Sequence, residues 1–394
     1  MKERKHMSKL AVFIGILIVV GVYGGSSFYI GARLIQWLKL LLPPYLVITC
    51  AVVYILCALS IVLSFAPLPG ILRGMTSWLG SYWMGIYVYL LLFFFALDLV
   101  IWLGHLVHII PSPVPQGVRF YAGLAAILLT VCTVGYGIYN ATQIRHVSYE
   151  VPTKEDRANA DMNIVLISDL HLGAIGSEKR LEKLVQAINR LEPDLVCIAG
   201  DIFNDNYDAI RDPERAIRLF QQIRSTYGVY ASLGNHDSGR TFNSMLEFLR
   251  RSNIKLLTDD YDIVGGRVVL IGRVDPSPIG GYGALKRQPI TDLIESLDPH
   301  LPVVVMDHTP SNLDEYNDRI DLVLSGHTHK GQIFPAGLVT NAIFEVDYGY
   351  YRRDESSPHV IVTSGAGTWG MPMRIASNNE IVSIHLRNHL GGDG

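Results

Sequence analysis

Five short clusters of aspartate, asparagine and histidine carry the chemistry that this sequence suggests. The first is Asp169-Leu170-His171, which follows an apolar run beginning at Ile164. An apolar run of this length bounded by polar residues predicts a buried strand, and residues two apart on a strand project from the same face. We therefore expect the Asp169 carboxylate and the His171 imidazole to point the same way. Oxygen and nitrogen donors together suit Mn, Fe or Zn.

Four further clusters of the same residue types each end an apolar run of their own. They are Gly200-Asp201, Gly234-Asn235-His236-Asp237, Asp307-His308 and Gly326-His327-Thr328-His329. Ligands of open α/β sheets gather where the strands end at their carboxyl edge. The five strand ends therefore predict one shared site whose side chains can bind metal.

The order of these motifs resembles that of the calcineurin-like metallophosphoesterases, over roughly residues 160–388. Later motifs are similar to the bacterial membrane-associated (YkuE-like) branch of that superfamily. These motifs are Thr363-Ser-Gly-Ala-Gly367, Gly370-Met-Pro-Met-Arg374 and Glu380-Ile-Val. Every metal-ligand position of the family pattern is filled.

The resemblance implies two divalent ions, of Mn, Fe or Zn, and a ligand set for each. Asp169, His171, Asp201 and His329 would bind one ion; Asp201, Asn235, His308 and His327 would bind the other. Asp201 would bridge them. Two metals about 3.5 to 4 Å apart can clamp the attacking and leaving oxygens of a phosphoryl displacement, and a water held between them loses its proton near neutral pH. The bridging hydroxide would then be the nucleophile.

A separate catalytic role is implied for His236, whose neighbour Asn235 already supplies a ligand. Adjacent side chains on an extended segment point apart. The resemblance implies that His236 faces the phosphate and stabilises charge or protonates the leaving oxygen. We expect Asp237 to orient His236 by accepting from its other ring nitrogen.

Other polar residues near the clusters stay open between substrate contact and structural roles. They are Asn204, Asp205, Arg240, Arg273, Asp275 and Arg374. Asp307 is expected to support a ligand rather than to be one.

The composition changes sharply near residue 150. Residues 1–150 hold three acidic residues against nine lysines and arginines, which gives +6 there and −9 in the remainder. An acidic catalytic half argues against a nucleic-acid partner, which normally requires a basic surface. The four cysteines predict neither a disulfide framework nor a thiolate metal site.

The first part of the chain contains four stretches apolar enough to cross a bilayer, for which about 20 residues are needed. They run approximately over Leu10–Ile30, Tyr45–Phe65, Trp83–Leu103 and Phe120–Tyr139. We predict a membrane domain over residues 1–144, a linker over 145–160, a phosphoesterase domain over 161–388 and a tail over 389–394. Asp98 lies inside the third stretch and is either a functional residue or a packing residue, with His105 as a candidate partner.

The basic residues near the ends of these stretches predict the orientation. An inside N-terminus places eight of them in the cytoplasm, including Lys2, Arg4 and Lys5, and three outside. The prediction is a multi-pass cell-membrane protein with a cytoplasmic catalytic domain.

The sequence patterns alone predict an α/β domain; the resemblance implies a four-layer sandwich of two mixed sheets flanked by helices. The predicted function is a membrane-tethered binuclear metallophosphoesterase that cleaves a phosphate ester or pyrophosphate. The substrate stays open, with a lipid-linked phosphate favoured over a soluble nucleotide or phosphoprotein because the site lies near the bilayer. The alternatives are a membrane sensor that binds a phosphorylated ligand without turnover, and a transporter with an appended domain.

Overall fold

The computed structural model describes residues 9–387 except 65, 67, 155–156, 158–160, 174, 176 and 296. The chain divides into two compact units, Met1–Tyr136 and Gly137–Gly394. The predicted basic arm with Lys2, Arg4 and Lys5 and the predicted tail 389–394 lie outside the described residues.

The first unit consists of long apolar helices. They are α1 (Lys9–Leu38), α2 (Pro44–Leu63), α3 (Gly70–Leu106) and α4 (Gln116–Asn140), whose last turn belongs to the second unit. Within the described residues, all four are long and apolar enough to cross a membrane. The helices α1 and α3 are longer than the apolar stretches predicted from sequence, because their ends also contain polar and aromatic residues.

Asp98 of α3 is paired inside the first unit. Its carboxylate accepts from Arg33 Nε of α1 at 2.7 Å and from the hydroxyl of Tyr29. The prediction that His105 is the partner is wrong: seven residues along a helix correspond to about 10 Å of rise, and His105 Nδ1 instead lies 3.0 Å from the carbonyl oxygen of Ile110. Asp98 thus stabilises the packing of α1 against α3.

The second unit is built on two six-stranded mixed sheets. The first contains β1 (Ile144–Pro152), β2 (Met162–Ile167), β3 (Leu195–Ala199), β4 (Val229–Ser232), β5 (Ile254–Leu256) and β12 (Asn379–Arg387), in the order β1-β12-β2-β3-β4-β5. The second contains β6 (Asp260–Val264), β7 (Val268–Gly272), β8 (Val303–Met306), β9 (Leu322–Ser325), β10 (Gly349–Tyr351) and β11 (His359–Val362), in the order β10-β11-β9-β8-β7-β6. The first half of the predicted linker 145–160 is therefore part of β1, which pairs in parallel with β12.

The alternation of β2 shows how the layers form. Ile164 and Leu166 pack with residues of the second sheet such as Leu270, whereas Val165 and Ile167 pack with the helices on the outer face of the first sheet. Those helices are α5 (Ser177–Asn189), α6 (Pro213–Phe220) and α7 (Phe242–Arg251). The opposite face of the second sheet packs with the short helix α8 (Ile290–Ile294). The predicted fold class, two mixed sheets flanked by helices, is confirmed.

Strand direction brings the predicted site together. The strands β2, β3 and β4 are mutually parallel, as are β8 and β9. In each sheet the carboxyl ends of the parallel strands share one edge. The motifs at the two edges also approach each other, since Asp201 after β3 lies 3.1 Å from His308 after β8.

Candidate metal centre

Each predicted ligand follows a strand rather than lying on it. β2 ends at Ile167, and both Asp169 and His171 adopt left-handed backbone conformations with φ of 55° and 45°. Their side chains converge as predicted, but they do so because the chain turns after β2 and not because they alternate along a strand. Asp201, His327 and His329 also have positive φ, of 52°, 71° and 52°. Such conformations are uncommon for residues other than glycine and cluster at functional sites.

The ligand side chains form two groups. Asp169, His171 and His329 bring one donor atom each to within 4.8 Å of one another, and Asp201, His308 and His327 do the same. All but the intermediate His327 are buried. Each group combines carboxylate oxygen with imidazole nitrogen, the donor set that suits Zn, Fe or Mn.

Asp201 lies between the two groups. One of its carboxylate oxygens is 3.1 Å from Nε2 of His308 and 3.7 Å from Nε2 of His171. Asn235 approaches the second group, with its side-chain oxygen 2.9 Å from Nδ1 of His327. The carboxylate of Asp201 is therefore placed to serve both groups.

The ring nitrogens of these histidines fit metal ligation. Nδ1 of His308 lies 2.8 Å from the carbonyl oxygen of Ala199, whereas its Nε2 is buried without a hydrogen-bond partner and faces Asp201. Nε2 of His171 and Nε2 of His329 are 3.0 Å apart, so a ring proton lies between two nitrogens. Metal binding replaces such protons.

Three of the histidines are held neutral, the form that binds metal. Burial lowers the pKa of His171 to about 3 and the pKa of His327 to about 4. Burial, aided by the nearby Arg374 guanidinium, lowers the pKa of His329 well below its ordinary value. Their nitrogen lone pairs are thus available at neutral pH.

Two motif glycines allow the strand ends to approach each other. A Cβ at Gly234 would overlap the Asp201 carboxylate, and a Cβ at Gly326 would overlap Ser168 and the Asp169 carboxylate. Any larger residue at either position would displace an acidic ligand.

His236 lies beside the two groups with its ring 5.1 Å from the ring of His171. Its Nδ1 is 2.7 Å from the carboxylate of Asp205, and its backbone N–H donates to Asp201 at 2.9 Å. Burial alone would lower the pKa of His236, but the hydrogen bond to Asp205 and the charge of Asp201 raise it above its ordinary value. Asp205 and Asp201 therefore favour the protonated form of His236 beside the candidate metal centre.

The predicted contact between Asp237 and His236 is not present. The buried carboxylate of Asp237 accepts from the backbone N–H groups of Phe203 and Gly234, at 2.8 and 2.9 Å. Both oxygens are therefore engaged in fixing the loops that carry Asp201 and Asn235. The structure assigns the contact with His236 to Asp205, one of the residues that the sequence left open.

Comparison with known proteins agrees with this architecture. A family model described as calcineurin-like phosphoesterase matches residues 162–331. An uncharacterized metallophosphoesterase of Campylobacter jejuni is 31% identical over 278 residues, which cover 68% of this chain and 70% of that protein. A Danio rerio transmembrane protein with metallophosphoesterase domain is 31% identical over 326 residues, which cover 77% of this chain and 72% of that protein. The chain belongs to the calcineurin-like phosphoesterase family.

Coverage of one further relative is smaller. An uncharacterized metallophosphoesterase of Helicobacter pylori is 30% identical over 243 residues, or 60% of this chain and 63% of that protein. The chain thus spans less than two thirds of that relative.

Around the ligands of this phosphoesterase-family chain lies a layer of buried charged side chains. Arg374 is fully buried and donates to the carbonyl oxygens of His329 and Gly367, at 3.1 and 2.6 Å. It therefore fixes the backbone that carries a ligand. Asp307 precedes His308 in the chain. Its carboxylate accepts from Arg287 and from the hydroxyl of Tyr316.

The remaining residues left open by the sequence occupy different positions. Arg273 is fully buried and lies 2.9 Å from Asp259, and Asp275 accepts from Thr309 at 2.6 Å. Both have structural partners. Arg240 is exposed, whereas the buried side-chain oxygen of Asn204 has no hydrogen-bond partner.

Sequence reasoning missed Trp369. Its ring is half exposed and lies 5.7 Å from the ring of His236. No spacing in the sequence links Trp369 to a histidine more than a hundred residues earlier. The one available signal is that Trp369 lies between two motifs of the family pattern, Thr363–Gly367 and Gly370–Arg374.

Proposed function

We propose that this chain is a membrane-tethered, binuclear metal-dependent phosphoester hydrolase. The observation that carries the proposal is the arrangement of two buried donor groups with Asp201 between them. Paired metal sites that share a carboxylate are suited to displacement at phosphorus, because they neutralise charge on both sides of the reacting atom.

The ligand sets follow from the two groups. Asp169, His171 and His329 with Asp201 hold one ion, and His308, His327 and Asn235 with Asp201 hold the other. Mn, Fe and Zn all suit these donors. The ions would polarise the phosphoryl oxygens and make a water acidic enough to act as nucleophile near neutral pH.

The chain's own residues supply the rest of the chemistry. His236 holds a proton on the ring nitrogen that faces the centre and donates it to the leaving oxygen, while Asp205 fixes the ring through the opposite nitrogen. The His236 backbone N–H orients the carboxylate of Asp201. Arg374 and Asp237 keep the ligand loops in place without touching the substrate.

Four apolar helices tether this activity to a membrane. We propose a multi-pass arrangement with the catalytic unit in the cytoplasm, supported by the excess of lysine and arginine near the ends that this orientation places inside. The substrate we propose is a phosphorylated molecule at the membrane, such as a lipid-linked phosphate ester or pyrophosphate.

The test is a hydrolysis assay on the full chain, purified in detergent and loaded separately with Mn, Fe or Zn. Phosphomonoesters, phosphodiesters and pyrophosphates are compared, and bound metal is counted by mass spectrometry. We expect about two ions per chain and hydrolysis of at least one class, both reduced in Asp201→Asn because an amide bridges two cations poorly.

The matched control is Asp260→Asn, which makes the same change at an exposed position of β6. It should keep both metal and turnover. Full activity and metal content in Asp201→Asn, or no hydrolysis by any metal-loaded form of the unaltered chain, would refute the proposal.

A further inference from the structure

One segment of the second unit exposes apolar side chains beside the metal centre. Residues 331–344 contain no charged residue, although the unit as a whole is rich in charge. Within this segment α9 (Ala336–Ile343) has no buried residue. Leu338, Val339 and Ile343 are 66%, 57% and 69% exposed. A cluster of exposed apolar side chains marks an interaction surface.

The neighbourhood of α9 identifies what covers this surface. The last turn of α4 belongs to the second unit and is hydrogen-bonded to the loop before β12. There the carbonyl oxygen of Gly137 accepts from the Arg374 N–H at 3.0 Å, and the Asn140 amide donates to the carbonyl oxygens of Arg374 and Ser377. α4 is one of the helices able to cross a membrane. This loop therefore lies at the carboxyl end of a candidate membrane-spanning helix.

The same loop is paired with the residues that precede α9. The Ile375 N–H donates to the carbonyl oxygen of Gln332, and the Phe334 N–H donates to the carbonyl oxygen of Ile375, each at 3.0 Å. A Cβ at Gly137 would touch the Ile375 side chain, so these elements are in direct contact. The residues that precede α9 are thus linked through Ile375 to the last turn of α4.

The charge-free segment also borders the candidate metal centre. It follows directly on the 3₁₀ turn His329–Gly331. At its other end, the ring of Phe344 lies 5.8 Å from the ring of His327. The half-exposed Trp369, whose ring is tilted against that of His236, accepts through its carbonyl oxygen from Gln332 Nε2 at 2.8 Å. Apolar side chains therefore extend from the candidate metal centre towards α9.

We propose that α9 lies in the surface of the bilayer that α4 leaves, and that the metal centre takes its substrate from that leaflet. The substrate is then an amphiphilic phosphoester, with the phosphate at the metals and acyl chains remaining beside Leu338 and Val339. This rests on the proposed hydrolase function and specifies its substrate class. Interfacial helices bury their apolar face about 5–10 Å into the headgroup and acyl boundary.

The first experiment compares two kinds of substrate with the full chain in nanodiscs. The lipid substrates are phosphatidate and phosphatidylglycerol, and the soluble substrates are p-nitrophenyl phosphate and bis-p-nitrophenyl phosphate. The double variant Leu338→Asp, Val339→Asp should lower kcat/KM on the lipid about tenfold or more, because two apolar side chains no longer enter the bilayer. Turnover of the soluble esters should stay within about twofold of the unaltered chain.

A matched control is Ile263→Asp, on the edge strand β6, where Ile263 is 48% exposed. It should change neither activity. Equal activity of the double variant and the unaltered chain on both substrate kinds would overturn the inference about α9.

A second readout does not depend on catalysis. A photoreactive benzoylphenylalanine at position 338 should crosslink to labelled phospholipid in the nanodisc, whereas the same group at position 263 should not. Crosslinking at 338 in a chain that hydrolyses nothing would refute the hydrolase function while supporting the membrane surface. Hydrolysis of soluble esters without crosslinking at 338 would refute the membrane surface and leave the hydrolase function standing.

Discussion

The contact between His236 and Asp205 gives a sharp test of the catalytic arrangement. Changing Asp205 to Asn keeps the size of the side chain and an oxygen that can accept from Nδ1 of His236. Asparagine also tolerates the left-handed backbone conformation of this position, where φ is 60°. The substitution therefore removes the charge and little else. Because His236 would lose its charged partner, proton donation to the leaving oxygen should slow.

The structure sets the size of the effect. A hydrogen bond to a charged group is worth about 1.5–3 kcal/mol and a neutral one about 0.5–1.5 kcal/mol, a difference of about 1–1.5 kcal/mol. The Asp205 side chain is 48% exposed, so solvent screening favours the lower value. We expect kcat to fall about fivefold, which corresponds to about 1 kcal/mol.

The assay compares two aryl phosphates on the metal-loaded full chain. Phenyl phosphate, a poor leaving group, should show the full decrease, whereas p-nitrophenyl phosphate should show little because its leaving oxygen needs no proton. Metal content should be unchanged. Asp208→Asn, three residues along the same loop and exposed, is the control that should leave kcat unaltered.

The contrasting variant is Asp237→Ala. It leaves two buried backbone N–H groups without acceptors, at about 1–3 kcal/mol each, so thermal unfolding should occur at a clearly lower temperature.

An Asp205→Asn chain with unaltered kcat on phenyl phosphate and full metal content would refute the assignment of Asp205 as the residue that positions His236.

Three further results are expected. Gly234→Ala should lower metal content, measured by mass spectrometry, because the added methyl group overlaps the Asp201 carboxylate; full retention of metal would contradict the packing described here. His236→Ala should keep its metal but lose about 10²- to 10⁴-fold in turnover of a poor leaving group, and equal loss on good and poor leaving groups would exclude proton donation. A fluorescent reporter fused after Gly394 should fluoresce in the cytoplasm, whereas activity of alkaline phosphatase fused at the same point would place the catalytic unit outside.

The sequence was sufficient to predict that the metal-binding residues meet. Asp201 and Asn235 each follow a strand of the first sheet, and the ends of parallel strands lie at one edge of a sheet whatever the loops do. His308 follows a strand of the second sheet, so its approach to Asp201 also depends on the packing of the two sheets. The conformation of the loops themselves was not predictable in this way. Asp169 and His171 converge through left-handed turns, which local sequence permits but does not require.

Contacts between distant parts of the chain account for the other differences. Asp205 reaches His236 across 31 residues, although Asp237 is the adjacent carboxylate. Asp98 pairs with Arg33 on another helix, although His105 is on its own. In both cases the sequence suggests the residue nearer in the chain. The side chain of Asp237 instead contacts the backbone of Phe203 and Gly234, and that of His105 contacts the backbone of Ile110.

The last turn of α4 determines where this chain can be cut. A soluble fragment starting at residue 161, the predicted domain boundary, would lack β1 and the turn around Asn140. The edge of β12 would then be uncovered, and the carbonyl oxygens of Arg374 and Ser377 would lose their amide donor. Because Arg374 also holds the backbone of His329, such a truncation would loosen a metal ligand far from the cut. The last turn of α4 thus belongs to the second unit, and excision of a stable fragment has to begin at or before Gly137.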